Sequence, residues 1–242
     1  MNNPFIVTIT GADDAVDIDE LREITIDYPF VEWGILFSIT RAGRPRYPSR
    51  VWVNRLLKNQ HEMHLSAHLC GLCIDEFVLA KGSLQWDDCH RWGHEFGRIQ
   101  INLGGHSRAV ESLERFKSCP WPAMILQSNG SQDEALYRLC ALAPHHFHVL
   151  FDHSGGVGRL PKWWPAAWAG ITCGYAGGIG PETIESQWQE LRAASSNINH
   201  NTNRSDAWWW IDMESGVRTD DHFDTAKVRT VLEIIRRLMA QE

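Results

Sequence analysis

The chain has 242 residues, of which 43% are hydrophobic and 22% charged, and its formal net charge is −7. This composition excludes disordered, collagen-like and coiled-coil proteins. No basic patch of the kind that binds nucleic acid is visible, and no apolar run approaches the roughly 18 residues of a membrane span. Residues 1–14 lack the basic start and apolar core of a secretory signal. We therefore expect a cytoplasmic protein with reduced cysteines and without nucleic-acid or membrane partners.

Short apolar, β-branched or aromatic runs recur along the chain and predict eight β-strands. In chain order they span residues 5–10, 31–38, 64–69, 98–103, 123–128, 147–152, 170–175 and 208–213. Most are almost continuously apolar, which is typical of parallel strands covered on both faces. Helices are expected between them and after the last one, where residues 226–239 show helical apolar spacing. After the sixth run there is room for only a turn or two of helix, at residues 162–169.

Eight strands alternating with helices predict a single (β/α)8 barrel, the TIM barrel, over residues 1–242. An open doubly wound sheet is the alternative, but the regular spacing favours closure. In such barrels the active site lies at the carboxyl ends of the strands.

Polar residues occupy several predicted strand ends, where a packed core would favour Val or Leu. Residues two apart in a strand share a face, and this parity selects candidates for catalysis and binding. The candidates are Thr10 on the first strand, His68 and Cys70 on the third, Gln100 and Asn102 on the fourth, Asp152 on the sixth, and Asp212 and Glu214 on the eighth.

Two arrangements of these side chains raise the question of a metal. Carboxylates and imidazoles bind divalent cations, which makes Asp152, Asp212, Glu214 and His68 a candidate set. A CxxC pair, Cys70 and Cys73, precedes Cys89, His90 and His94 at a spacing that superficially resembles a zinc site. We expect a hydrogen-bonded polar ring instead, with no bound metal or cofactor.

Two glycine-bearing loops predict an anion site. Gly177 and Gly178 follow the seventh strand and precede Pro181, which is predicted to lie in the first turn of the next helix, while Ser215 and Gly216 follow the eighth strand. Glycine lets backbone N–H groups approach a phosphate closely, and the loops after strands seven and eight bind phosphate in many barrels. We therefore expect a small phosphorylated ligand.

The order of these motifs resembles that of the phosphoribosylanthranilate isomerase family, which has ribulose-phosphate-binding barrels. The similarity is clearest after residue 149, in Leu150-Phe151-Asp152 with the following 155–158 glycine segment, in residues 176–182 and in residues 212–217. Residues 7–11, and 33–38 with 45–47, resemble the family's first two strands more weakly. The chain thus resembles a diverged member of the family.

The resemblance implies an acid–base rearrangement of a phosphorylated sugar. Asp152 matches the family's general acid, and Arg46 matches an arginine that meets the substrate's carboxylate. The phosphate loops match Gly177, Gly178, Ser215 and Gly216. The family's general base is a cysteine at the end of the first strand, and this chain has Thr10 there.

Two departures from the family leave alternatives open. An alcohol is a poor base near neutral pH, so Cys70, His68 or Glu214 must replace the cysteine rather than Thr10. Glu214 stands where the family has a small serine, and a carboxylate about 4 Å from a phosphate is repelled by about 4 kcal/mol at an effective dielectric constant near 20. The chain is predicted to be an isomerase-like enzyme. The alternatives are a metal-dependent aldolase, epimerase or hydrolase, and a non-catalytic ligand-binding barrel; nothing in the sequence sets the oligomeric state.

Overall fold

The computed structural model describes residues 5–74, 95–102, 123–128, 134–154, 157–196 and 207–241. Eight parallel strands close into one barrel in chain order, which confirms the predicted TIM barrel. The strands are β1 Ile6–Thr10, β2 Val31–Phe37, β3 His64–Leu69, β4 Arg98–Ile101, β5 Met124–Ser128, β6 Phe147–Asp152, β7 Cys173–Ala176 and β8 Trp209–Met213. A short antiparallel pair, β9 Arg218–Thr219 and β10 His222–Phe223, follows β8.

Five α-helices that lie wholly within the described residues bury apolar stripes, and three of them begin at a side-chain cap. They are α1 Ile18–Asp27, α2 Arg50–Lys58, α3 Glu134–Leu142, α4 Ile184–Ser195 and α5 Thr225–Met239. Asp17 caps α1 by accepting a hydrogen bond from the Asp19 N–H, and Asp224 caps α5 in the same way from Lys227. The predicted apolar face of α5 is buried against the barrel.

Two local predictions are wrong. Residues 162–169 contain no helical turn, because Pro161 and Pro165 remove backbone donors and hold the residues before them extended. Helix α4 begins at Ile184 rather than at Pro181, after a turn over residues 181–183. Across the described ranges, no helix has both the length and the apolar character that crossing a membrane requires.

The barrel interior contains a buried polar cluster, whereas the layer between the strands and the helices is apolar. Val7 and Ile9 of β1 point outward into that apolar layer, whereas Thr8 lies in a buried polar cluster inside the barrel. There the Arg98 guanidinium donates to Glu32 from Nε at 2.9 Å, and the Thr8 hydroxyl donates to the same carboxylate at 2.8 Å. These residues fill the amino-terminal half of the barrel and leave its carboxyl end for a cavity.

Candidate active site

A cavity of about 210 Å³ opens at the carboxyl ends of the strands, where the fold predicts the active site. It brings together eleven of the thirteen residues selected from the sequence, which are Thr10, His68, Gln100, Asn102, Asp152, Gly177, Gly178, Asp212, Glu214, Ser215 and Gly216. The other two, Cys70 and Arg46, lie outside its lining.

The Asp152 carboxylate is fixed by three hydrogen bonds at the end of β6. Gln127 donates from Nε2 to Oδ2 at 2.8 Å, and Ser154 donates to Oδ1 from its backbone N at 3.0 Å and from its hydroxyl at 2.7 Å. All three groups of these two residues act as donors, so the ionised form of Asp152 satisfies them. Sequence reasoning missed Gln127 and Ser154, although Gln127 has the inward parity that selected the other candidates.

Asp212, near the end of β8, is surrounded differently. It is 6% exposed, and its Oδ1 accepts a hydrogen bond from the Thr10 hydroxyl at 2.9 Å. Burial raises the pKa of Asp212 to about 8; the Thr10 hydrogen bond acts in the opposite direction, and the nearby charge of Glu214 raises the pKa further. A carboxyl group that titrates in this range can exchange a proton with substrate near neutral pH.

The strand register sets the separation of Asp152 and Asp212. Asp152 pairs with Ala176 of β7, and Ala176 pairs with Asp212, so the two acidic residues flank one small residue at the same level. Neighbouring strands lie about 4.8 Å apart, which puts the two backbones roughly 10 Å from each other. The methyl side chain of Ala176 leaves the space between the carboxyl groups open to a ligand.

The two glycine-bearing loops pack backbone against backbone beside the cavity. Gly177 and Gly178 have φ angles of 116° and 66°, in the left-handed region that favours glycine. A Cβ on Gly216 would lie 2.1 Å from the Ile179 carbonyl oxygen and 2.8 Å from the Gly180 Cα. Both loops therefore need glycine for this close approach, and together they form one wall of the cavity.

Two of the candidate bases have environments that suppress their ionisation. Burial lowers the pKa of His68 to about 3, so the imidazole is neutral near pH 7 and a weak base. Burial also raises the pKa of the Cys70 thiol to about 12, against a smaller opposing effect of the hydrogen bond from Asn102. Neither side chain fits the role of the missing base.

Glu214 is paired with Arg46, the arginine matched to the family's carboxylate-binding residue. Arg46 donates from Nη1 to Glu214 Oε1 at 2.7 Å and from Nε to Asp221 Oδ1 at 2.8 Å. Its backbone N–H donates to Asp13 Oδ2 at 2.7 Å. The Glu214 charge is thus directed toward a cation, and the Arg46 charge is compensated by protein carboxylates.

The candidate metal sets are not assembled in the part of the chain that the structure describes. No group of three or more His, Cys, Asp or Glu side chains there lies close enough to hold a metal ion, and this includes the set of Asp152, Asp212, Glu214 and His68. Cys89, His90 and His94 of the zinc-like pattern lie outside the described residues.

Comparison with known proteins supports the fold. No family model and no curated protein sequence matches the chain. The structure is similar to N-(5'-phosphoribosyl)anthranilate isomerase from Pyrococcus furiosus, with a TM-score of 0.55 and 16% identity over 96% of this chain and 99% of that chain. It is also similar to a truncated 3-deoxy-D-arabino-heptulosonate 7-phosphate synthase from Thermotoga maritima, with a TM-score of 0.54 and 9% identity over 99% and 88% of the two chains. The chain thus has the TIM-barrel architecture of these enzymes.

Proposed function

We propose that the protein is an acid–base isomerase of a small phosphorylated sugar or related phosphate ester. The observation that carries the proposal is the pair of carboxyl groups, Asp152 and Asp212, which flank Ala176 beside the wall formed by the two glycine loops. Two carboxyl groups in different environments are the arrangement with which one site supplies both an acid and a base.

The surroundings of the two residues support the catalytic roles that we propose for them. Asp212 is buried and holds its proton near neutral pH, so it is the general acid that protonates the departing ring oxygen of the sugar. Asp152 faces three donors and enters as a carboxylate, so it is the base that removes the proton from carbon. The resemblance implied that Asp152 is the acid, and the hydrogen bonds favour the opposite division.

We propose that the phosphate binds at the wall formed by the two glycine loops. Gly177 and Gly178 expose backbone there, and the Ser215 hydroxyl lines the same cavity. Glycine loops at this position of a barrel are suited to bind phosphate through backbone N–H groups. The pairing of Glu214 with Arg46 removes the repulsion that an unpaired carboxylate would exert on the phosphate.

Thermal unfolding in the presence of ribose 5-phosphate, inorganic phosphate or ribose tests this placement. A ligand at 100 times its Kd adds about 2.7 kcal/mol to the free energy of unfolding. We expect ribose 5-phosphate and inorganic phosphate to stabilise the wild type. Neither should stabilise Ser215→Asp, which adds a negative charge to the wall. The matched control is Ser186→Asp, with the same added charge on the exposed surface of α4. Equal stabilisation by ribose, or an unchanged response of Ser215→Asp, would contradict the phosphate site.

A further inference from the structure

Two polar atoms at the floor of the cavity have no hydrogen-bond partner among the described residues. They are His68 Nε2 and Gln100 Oε1, and their side chains are 1% and 5% exposed. Both side chains line the cavity. Since buried polar groups in proteins are almost always hydrogen-bonded, two unpartnered atoms on side chains that line one cavity point to a ligand that completes them.

The floor is held in place by its neighbours. Gln100 Nε2 donates to Asn102 Oδ1 at 2.8 Å, and this bond leaves the Gln100 carbonyl oxygen as the unpartnered group of the side chain. Gly34 lies in β2, between β1 with Thr10 and β3 with His68. A Cβ on Gly34 would be 2.2 Å from Thr10 Oγ1 and 3.0 Å from His68 Nε2. The glycine therefore lets the Thr10 hydroxyl and the His68 imidazole lie side by side.

The charges around the cavity restrict what the floor can bind. Neither Gln100 nor the neutral His68 carries a charge, whereas the rim has the carboxylates Asp152 and Glu214. Two nearby cations of the described residues are already paired, Arg46 with Glu214 and Arg98 with Glu32. Among the described residues, a carboxylate on the ligand would find no uncompensated cation at this floor, but a hydroxyl can donate to Gln100 and form a second bond with His68.

We propose that His68 and Gln100 form a subsite for the hydroxyl groups of an uncharged, polyhydroxylated end of the phosphate ester, and that the site selects against a carboxylate at that end. The inference rests on the proposed function, because it assumes that the phosphate lies at the glycine loops. It narrows the substrate class to phosphorylated sugars without an acidic tail.

A matched pair of ligands tests the inference. Ribitol 5-phosphate ends in a hydroxymethyl group, and ribonate 5-phosphate has a carboxylate in its place. By calorimetry, we expect the wild type to bind ribitol 5-phosphate at least tenfold more tightly. Gln100→Leu should weaken that binding about tenfold and leave the Kd for inorganic phosphate unchanged. If Gln100→Leu does not fold, Gln100→Asn takes its place in the test. Its shorter side chain withdraws the carbonyl oxygen but keeps the amide, and it should weaken the binding of ribitol 5-phosphate to the same extent.

Glu214→Ser provides the converse test, because it removes the carboxylate that accepts from Arg46 Nη1 and leaves this nitrogen free to pair with a carboxylate of the ligand. Binding of ribonate 5-phosphate should improve at least tenfold in this variant. The control, Asp220→Asn, removes an exposed acidic charge near Asp221 and should leave the preference unchanged. Equal binding of the two ligands by the wild type, or equal weakening of phosphate and ribitol 5-phosphate in both Gln100 variants, would overturn the subsite alone. If neither ligand nor phosphate binds, the proposed function fails and the subsite with it.

Discussion

Asp152 and Asp212 are the same residue type at neighbouring strand ends, yet their surroundings make them chemically different. Both residues are buried, but Asp152 accepts hydrogen bonds from three donors, whereas the donor to Asp212 among the described residues is the Thr10 hydroxyl. The Thr10 hydroxyl, which donates to Asp212 Oδ1 at 2.9 Å, orients this neighbouring carboxyl group.

The proposed acid and base roles predict a pH profile for the proposed isomerase activity. Because Asp212 acts as the acid, kcat/KM should fall as pH rises through an apparent pKa near 8. If Asp212 were instead the base, kcat/KM would rise over the same range. Initial rates between pH 5 and pH 10 distinguish the two, and Asp212→Asn should lose roughly 10²–10⁴-fold in rate together with this limb of the profile.

The same carboxyl group predicts a pH dependence of folding stability. The pKa of Asp212 is about 8 in the folded state against an ordinary value of 3.8. The stabilisation that protonated Asp212 contributes is therefore fully present below about pH 4 and is lost as pH rises through 8. Over this range the free energy of unfolding falls by up to about 1.4 kcal/mol per pH unit. Urea unfolding of Asp212→Asn should show a flatter decline between pH 5 and pH 8 than the wild type. The exposed control Asp220→Asn should follow the wild type, and parallel curves for all three proteins would refute the buried, protonated state.

At the scale of elements, the loops that follow β7 and β8 pack against each other through backbone atoms rather than through side chains. Gly180 and Gly216 approach so closely that a Cβ on either would lie within 3 Å of the other's backbone. The Thr183 hydroxyl, just before α4, donates to the Gly178 carbonyl at 2.8 Å and fixes the first loop. The proposed phosphate wall therefore depends on backbone packing.

Gly216→Ala tests this packing. The added methyl would meet the Ile179 carbonyl oxygen and the Gly180 Cα, so we expect a loss of about 1–3 kcal/mol in the free energy of unfolding. Gly97→Ala is the matched control, because its nearest neighbour, the Leu65 carbonyl oxygen, lies 3.7 Å away. Its change should stay within about 0.5 kcal/mol. Equal effects of the two substitutions in urea unfolding would exclude the close approach.

The elements were predictable from the sequence because their signals are local. Apolar runs mark the strands, and parity placed Asp152, Asp212 and Glu214 at one end of the barrel. The roles of these residues were not predictable, since they depend on contacts between distant segments. The pairing of Arg46 with Glu214 joins residues far apart in the chain, and the burial that raises the pKa of Asp212 arises only when the barrel closes.

At the scale of the whole molecule, the barrel separates stability from chemistry. The buried pair of Glu32 and Arg98 lies in the amino-terminal half, where Arg98 also stacks on the Trp210 ring with its guanidinium carbon 4.4 Å from the ring centroid. The proposed catalytic carboxyl groups lie at the opposite end. This arrangement agrees with the general division of such barrels into a stability face and an active-site face.

Arg98→Met should be strongly destabilising, because it leaves the Glu32 carboxylate buried without its partner. A cost of about 3–5 kcal/mol in the free energy of unfolding is expected. Adding Glu32→Leu should recover much of that loss, since an apolar pair avoids the buried charge. The control is Arg138→Met, whose ion pair with Glu134 is about three-quarters exposed and contributes less than about 1 kcal/mol. A double variant no more stable than Arg98→Met alone would contradict this account.

Solvent deuterium incorporation tests the central claim most directly. The protein is incubated in D₂O with phosphosugars that stabilise it against thermal unfolding, and exchange at carbon is followed by proton NMR. The proposed mechanism predicts exchange by the wild type, and a loss of roughly 10²–10⁴-fold in Asp152→Asn, whose side chain cannot accept the carbon-bound proton. An Asp152→Asn variant that exchanges at the wild-type rate, or a wild type that binds these phosphosugars and exchanges none of them, would contradict the claim that this cavity is an acid–base isomerase site.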